Sequence, residues 1–333
     1  MRTPTLLSFL SDVETPVSLF HKISAQERPE EPTAFLFEST DGDTRLARFS
    51  FIGVFPVKTV SFKSGQAQVR DLASGETVTV DYTNPLSVLQ IELAAYLKHA
   101  GLDPQAAIPE SLRQFPFVGG WVGYMGYGAT RYFDGIPQQP SDPLGVPEGY
   151  YGLYDTVVLY DHLFRRITFV SYRPEAEARA LWAEIEGRLQ VEAPLTPLYN
   201  LDTVANELTD EAIFDSVTGP FDAERFCQTV AEAQAFIQEG QIFQIVLSHR
   251  FSTPLTAQPF DVYRTLQAIN PSPYAYYLKF PEFVYLGSSP ETFVTCHNGQ
   301  VVLRALAGTR HRGATPEEDQ QLAVELVSNE KER

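Results

Sequence analysis

Apolar and polar positions change period several times along the 333-residue chain, and each change marks an element. After Thr33, short β-rich runs at 34–37, 48–52, 57–62 and 77–80 are separated by turn clusters such as Asp41-Gly42-Asp43, a pattern that predicts antiparallel sheet. Leu86, Leu89, Leu93 and Leu97 then recur at helical spacing behind Pro85, and Gly101 stands where that helix would stop. The stretch 117–128 is the richest in glycine. Glycine permits positive φ and close backbone approach, so this stretch reads as a bulged strand or a tight ligand contact. A hairpin is predicted over 156–172 and a helix over 174–190, and Pro194 and Pro197 make 192–197 the candidate linker. The division that results is an N-terminal domain over 1–200 and the first part of a second domain over 215–333.

Beyond the linker, Phe226, Val230, Ala233 and Ile237 mark a helix that Gly240 should end. In 242–251 the alternation predicts a strand with Phe243, Ile245 and Leu247 on one face and Gln244, Val246, Ser248 and Arg250 on the other, so that a sheet would present Gln244 to a ligand. A short helix ending near Asn270 follows. Strands are then predicted over 274–280, 283–288 and 293–296, the last turning through Asn298-Gly299 into 301–306. Thr315, Pro316 and Glu318 have the spacing of an N-cap, a first-turn proline and a capping-box acid, and a helix should start there. Asn329-Glu330-Lys331-Glu332 repeats that signal one residue before the sequence stops. An isolated helical turn is unstable against a nucleation factor of about 10⁻³, so the chain is expected to be cut inside a domain.

Composition narrows the function classes. A hydrophobic content of 44% and an aromatic content of 12% supply more core than one typical domain needs. Acidic residues outnumber basic ones by 42 to 25 for a net charge of -17, a surface that repels phosphate backbones and anionic lipid, so neither nucleic acid nor membrane is an expected partner. Cys227 and Cys296 stand alone, without a disulfide framework or zinc-site spacing, which fits a reducing cytoplasm. The apolar run Leu6, Leu7, Phe9, Leu10 is too short and too closely followed by Asp12 and Glu14 for a signal peptide. No stretch approaches the ~20 apolar residues of a membrane span.

Four separated segments carry a resemblance. Leu36-Phe37-Glu38-Ser39, with 48–53 behind it, is similar to the LLES and YSFIG segments of the chorismate-utilising enzymes, and 240–248 is the second match. Asn270, Pro271, Ser272, Pro273 and Tyr274 form the third. The fourth runs from Gly287-Ser288-Ser289-Pro290-Glu291 through Ala307-Gly308-Thr309-Arg310 to 329–332. Together they resemble the large-subunit family of anthranilate synthase, a lyase of tryptophan biosynthesis.

That resemblance implies an α+β fold of two antiparallel β-sheets packed together with helices outside, and a substrate cleft between sheets. It implies that ammonia, supplied by a glutamine amidotransferase subunit, adds to chorismate as the C4 hydroxyl leaves, and that pyruvate is then eliminated to give anthranilate. Mg²⁺ is the implied cofactor, because hard oxygen ligands and an anionic substrate suit it. Glu332 would be a metal ligand, Glu291 an active-site acid, and Gly308, Thr309 and Ala307 substrate contacts.

Two positions bear on the nucleophile. Sister enzymes that add water place a lysine base at the position of Gln244, and an amide cannot act as a base. Aminodeoxychorismate synthases commonly carry a lysine nucleophile where this chain has Ala307, so direct attack by ammonia is the expected route. Glu38, Ser39, Asn270, Pro271, Ser272, Pro273 and Tyr274 resemble a tryptophan feedback site set apart from the chemistry. There an acid and a hydroxyl would hold the ammonium group, and prolines with a tyrosine would wall the indole. His311, where the family commonly has proline, reads as a loop residue. The alternatives are aminodeoxychorismate synthase and a non-catalytic tryptophan-binding module, and the chain alone is expected to be inactive.

Overall fold

The computed structural model describes residues 3–24, 33–39, 48–103, 109–136, 142, 144–196, 217, 222–297, 299–303 and 308–330. The chain divides into two compact units, Met1–Leu195 with Leu266–Arg333, and Thr196–Thr265.

The first unit is built on two antiparallel sheets. Strands β1 (Thr5–Leu10), β2 (Ala34–Glu38), β3 (Phe49–Gly53), β9 (Thr156–Asp161), β10 (Arg166–Ser171), β11 (Tyr274–Lys279) and β12 (Val284–Ser289) form one, in the order β1-β10-β9-β3-β2-β11-β12. Strands β4 (Lys58–Lys63), β5 (Gln66–Asp71), β6 (Thr77–Asp81), β7 (Gly120–Met125) and β8 (Gly149–Tyr154) form the other, in the order β6-β5-β4-β8-β7. A two-stranded ribbon, β13 (Thr295–His297) with β14 (Gln300–Val302), follows. The expected α+β architecture is thus present.

Alternation sorts the side chains. Phe35, Phe49, Val157, Leu159, Val170 and Leu278 from the seven-stranded sheet meet Val122 and Tyr154 from the five-stranded one in a single buried cluster. Phe35 is fully buried, with the Tyr154 ring edge-on at 4.8 Å. Residue 169, next to Val170, points the other way, and Phe169 meets Trp182 of helix α3 (Glu175–Leu189), which also stacks on Phe9 at 4.3 Å. Helix α1 (Pro16–Ser24) buries Leu19, Phe20 and Ile23. Helix α2 (Pro85–Ala100) lays Val88 and Leu89 against Val60, Phe62, Ala67 and Val69 of the five-stranded sheet. Its ends match the sequence signals: the Asn84 side chain accepts from the Leu86 N–H at 2.9 Å, Pro85 begins the helix, and Gly101 closes it at φ 67°.

The glycine-rich stretch is a strand, and one glycine explains why. A Cβ on Gly123 would lie 1.9 Å from the Tyr150 carbonyl oxygen, so β7 reaches β8 closely only without a side chain there. The short runs expected near 34, 48, 57 and 77 became β2, β3, β4 and β6, and the 156–172 hairpin is β9–β10. Sequence pattern did not predict β1, α1, β5 or β8.

In the second unit, helix α4 (Ala223–Gln238) is capped by Asp222, whose carboxylate accepts from the Glu224 N–H at 2.9 Å, and Gly240 follows it at φ 73°. Helix α5 (Pro259–Ile269) begins there and ends in the first unit's sequence. The strand expected over 242–251 does not form. That segment is irregular chain outside any strand, with Phe243 98% and Val246 80% exposed. Alternation specifies which face a strand would bury, but a ladder needs a neighbouring strand, and none is found among the described residues of this unit. Helix α6 (Pro316–Ser328) starts as expected, with Thr315 Oγ1 accepting from the Glu318 N–H at 3.2 Å and the Glu318 carboxylate accepting from the Ala314 N–H at 2.8 Å. Asn329 closes that helix. The expected turn at 329–332 and the strand expected over 301–306 both run into residues outside the described ones.

Candidate functional site

Strand pairing gathers the residues nominated for tryptophan. Glu38 at the end of β2 lies opposite Ala275 of β11, and Ala275 lies opposite Ser288 of β12, so one row crosses three strands at about 4.8 Å per step. Helix α5 stops just before this row. The Asn270 N–H still reaches the Leu266 carbonyl at 2.8 Å, but Pro271 and Pro273 cannot continue the helix, and the chain turns into β11 at Tyr274.

The polar groups at this corner are held on one side and open on the other. Glu38 is buried, at 8% exposure, and its Oε2 accepts from Gln267 Nε2 at 2.9 Å. Ser39 Oγ is buried with no hydrogen-bond partner among the described residues, a condition most buried hydroxyls avoid. Ser272 is buried and Tyr274 half-buried, whereas Asn270 and Pro271 are exposed. The structure therefore brings Glu38, Ser39 and the 270–274 segment to one end of the sheet.

Of the nominated catalytic residues, Glu291, Gly308 and Thr309 lie in the described part of the first unit. Glu291 sits two residues beyond β12, after Pro290 stops the ladder, and its carboxylate is exposed. Its backbone N–H lies 3.4 Å from Ser289 Oγ. On either side of it, Ser288 Oγ donates to the Asn270 carbonyl at 2.5 Å and the Thr292 hydroxyl hydrogen-bonds the Tyr274 phenol. Gly308 is half-buried and Thr309 exposed, with the Thr309 carbonyl accepting from Arg310 Nη1 at 3.1 Å. Gln244 belongs to the second unit and is exposed. Ala307 and Glu332 lie outside the described residues. Among the described residues no three His, Cys, Asp or Glu side chains come together as a metal-holding group, so these residues alone do not fit a cation.

A cleft of about 830 Å³ opens elsewhere in the first unit, bordered by Lys58, Asp71, Tyr96, Asp155 and Arg173. Its charged groups are largely matched internally. Asp155 accepts from Arg173 Nε at 2.9 Å and from the Tyr96 hydroxyl at 2.8 Å, and Lys58 pairs with Glu92 at 2.7 Å. None of the sequence-nominated residues borders it. The residues that sequence reading missed, Gln267 and Thr292, hydrogen-bond Glu38 and Tyr274 at the corner where β2 ends. Each acts through a partner far away in sequence, and no local motif signals it.

No helix among the described residues is long and apolar enough to cross a membrane. In comparisons with known proteins, the chain is similar to anthranilate synthase component 1 of Acetivibrio thermocellus, 33% identical over 99% of this chain and 64% of that protein. The corresponding protein of Thermus thermophilus is 36% identical over the same shares of 99% and 64%. The chain thus spans about 64% of the length of these curated relatives. Among solved structures, anthranilate synthase component I from Streptococcus pneumoniae TIGR4 superposes with a TM-score of 0.64 at 25% identity, covering 97% of this chain and 64% of that one. The menaquinone-specific isochorismate synthase of Escherichia coli, at 14% identity and a TM-score of 0.51, shares the fold. A family model described as chorismate binding enzyme matches residues 33–333, everything from β2 onward, and the chain belongs to that family.

Proposed function

We propose that this chain acts as the large subunit of an anthranilate synthase, converting chorismate and ammonia to anthranilate and pyruvate in the cytoplasm, with a glutamine amidotransferase subunit supplying the ammonia. The observation that carries this reading is the similarity, at 33% and 36% identity over 99% of the chain, to proteins named anthranilate synthase component 1. Gln244 and Ala307 support it, since each stands where a sister enzyme places a reactive lysine. Ammonia is already nucleophilic at its lone pair and needs no base to attack the ring, which fits an amide at Gln244. The C4 hydroxyl departs with its bonding pair as the C–N bond forms. Loss of a ring proton and the enolpyruvyl group then leaves an aromatic amine and pyruvate. Glu291 is the proposed acid of the site, and Gly308 and Thr309 the proposed substrate contacts. Mg²⁺ is the proposed cofactor, with Glu332 among its ligands, and when bound it would offset the substrate's carboxylate charge.

Tryptophan is the proposed feedback inhibitor, received at Glu38, Ser39, Asn270, Pro271, Ser272, Pro273 and Tyr274. The buried Glu38 carboxylate and the unpartnered Ser39 hydroxyl support this reading, because a buried acid beside an orphaned hydroxyl suits an ammonium group. The deciding experiment supplies the intact gene product with chorismate, Mg²⁺ and ammonium salt and identifies the product. Anthranilate is expected. Aminodeoxychorismate or isochorismate as the main product would overturn the assignment.

A further inference from the structure

Two side-chain hydrogen bonds tie the turn that carries Glu291 to the segment proposed to receive tryptophan. Ser288, three residues before Glu291, donates to the Asn270 carbonyl, and Thr292, one residue after it, bonds the Tyr274 hydroxyl. Between these two anchors Glu291 has little of its own to fix it: its side chain is exposed and its N–H reaches Ser289 Oγ only at 3.4 Å. Backbone pairing stops at Ser289, which lies opposite Tyr274, so the bond to Thr292 is what folds the chain beyond Pro290 back onto β11. The same tyrosine is the aromatic residue of the 270–274 segment, one step along β11 from the residue opposite Glu38.

We propose that Thr292 is a positioning residue for Glu291, acting through Tyr274, and that tryptophan inhibits by taking Tyr274 away from Thr292. This rests on the tryptophan site proposed above. With the phenol bonded to Thr292 the turn is fixed and Glu291 is held for the reaction. An indole packed against the Tyr274 ring shifts the phenol, the bond breaks, and the turn that carries the acid loosens. The two ligands then oppose one another reciprocally, since any factor by which tryptophan weakens chorismate binding is the factor by which chorismate weakens tryptophan binding.

The test compares Thr292→Val and Thr292→Ser in the intact gene product, following anthranilate formation and, by calorimetry, tryptophan binding with and without chorismate. Thr292→Val should lower kcat/KM for chorismate by roughly tenfold or more, within the range a misplaced catalytic group costs, because it removes the same bond that tryptophan is proposed to break. Tryptophan should still bind it, but without the roughly 5- to 150-fold antagonism typical of allosteric coupling. Thr292→Ser, which keeps the hydroxyl, should restore both kcat/KM and antagonism. A Thr292→Val protein that turns over and is inhibited like the unsubstituted one would overturn the proposal, as would failure of Thr292→Ser to rescue. If the unsubstituted protein binds no tryptophan, the underlying site reading fails and the switch with it. The kcat/KM contrast between the two variants then still decides whether Thr292 positions Glu291.

Discussion

Replacing Ser39 by alanine should move stability and ligand affinity in opposite directions. The Ser39 hydroxyl is out of water and bonded to nothing among the described residues. A buried hydroxyl left without a partner costs about 1–3 kcal/mol in mutational series, and because Ser39 as a residue is only half-buried the lower end of about 1 kcal/mol applies. Ser39→Ala removes that penalty and leaves the remaining side chain in place. For a protein of this size 1 kcal/mol corresponds to roughly 1–2 °C in Tm, so the ligand-free variant should melt about that much higher. Tryptophan binding should weaken, because a hydrogen bond to a charged ammonium is worth about 1.5–3 kcal/mol, or roughly 10- to 100-fold in Kd. Scanning calorimetry without tryptophan and titration calorimetry with it read the two effects separately. A variant that melts lower in the absence of ligand, or that binds tryptophan as tightly as before, refutes the reasoning. Ser39→Phe fills the same space with a ring and should abolish inhibition with little change in turnover.

Three other outcomes are expected. Arg48 donates to Asp161 from Nε at 3.1 Å and from Nη2 at 2.7 Å, and Asp161 is buried at 6% exposure. Burial pushes the Asp161 carboxyl up, but the Arg48 hydrogen bonds, the Phe164 and Leu163 N–H groups and the Arg48 charge together hold it below the ordinary 3.8. A depressed folded-state value contributes stability that is complete above the ordinary carboxylate range and lost as pH falls below 3.8 toward the folded value. Arg48→Met should therefore cost about 3 kcal/mol in urea unfolding at pH 7, and the difference from the unsubstituted protein should shrink as acid protonates Asp161; a difference independent of pH counts against the ion pair as its cause. Gly123→Ala should lower the urea midpoint by the equivalent of about 1–3 kcal/mol or more, because its Cβ would meet the Tyr150 carbonyl at 1.9 Å and β7 must move off β8; an unchanged midpoint contradicts the close approach. Chelation by EDTA should abolish anthranilate formation and Mg²⁺ should restore it, and activity undiminished by exhaustive chelation would remove the cation from the proposal.

Local signals were legible where the physics is local. Asn84, Pro85 and Gly101 bound α2, and Thr315 with Glu318 starts α6, because capping is settled within four residues. Short β-rich runs bounded by turn residues located β2, β3, β4, β11 and β12 for the same reason. Pairing is a long-range matter. Nothing around Phe37 or Tyr276 indicates that they face one another, so the row Glu38, Ala275, Ser288 emerged only from the fold. The segment around Gln244 shows the converse: it alternates, yet it has no neighbouring strand among the described residues of its unit. In the nominated feedback residues, motif and fold converge on one corner. Of the nominated catalytic set, Gln244 belongs to the second unit, and Ala307 and Glu332 lie outside the described residues.

The pairing of β2 with β11 also sets a timetable for biogenesis. Ala34–Glu38 leaves the ribosome about 240 residues before the strand that will sit beside it, which at 5–20 residues per second is a wait of roughly 12–48 s. Throughout that interval the nascent polypeptide carries an unoccupied row of amide and carbonyl groups flanked by Phe35 and Phe37, a ready template for association with another copy. Growth temperature and chaperone supply, more than the stability of the finished fold, should then govern the yield of soluble protein.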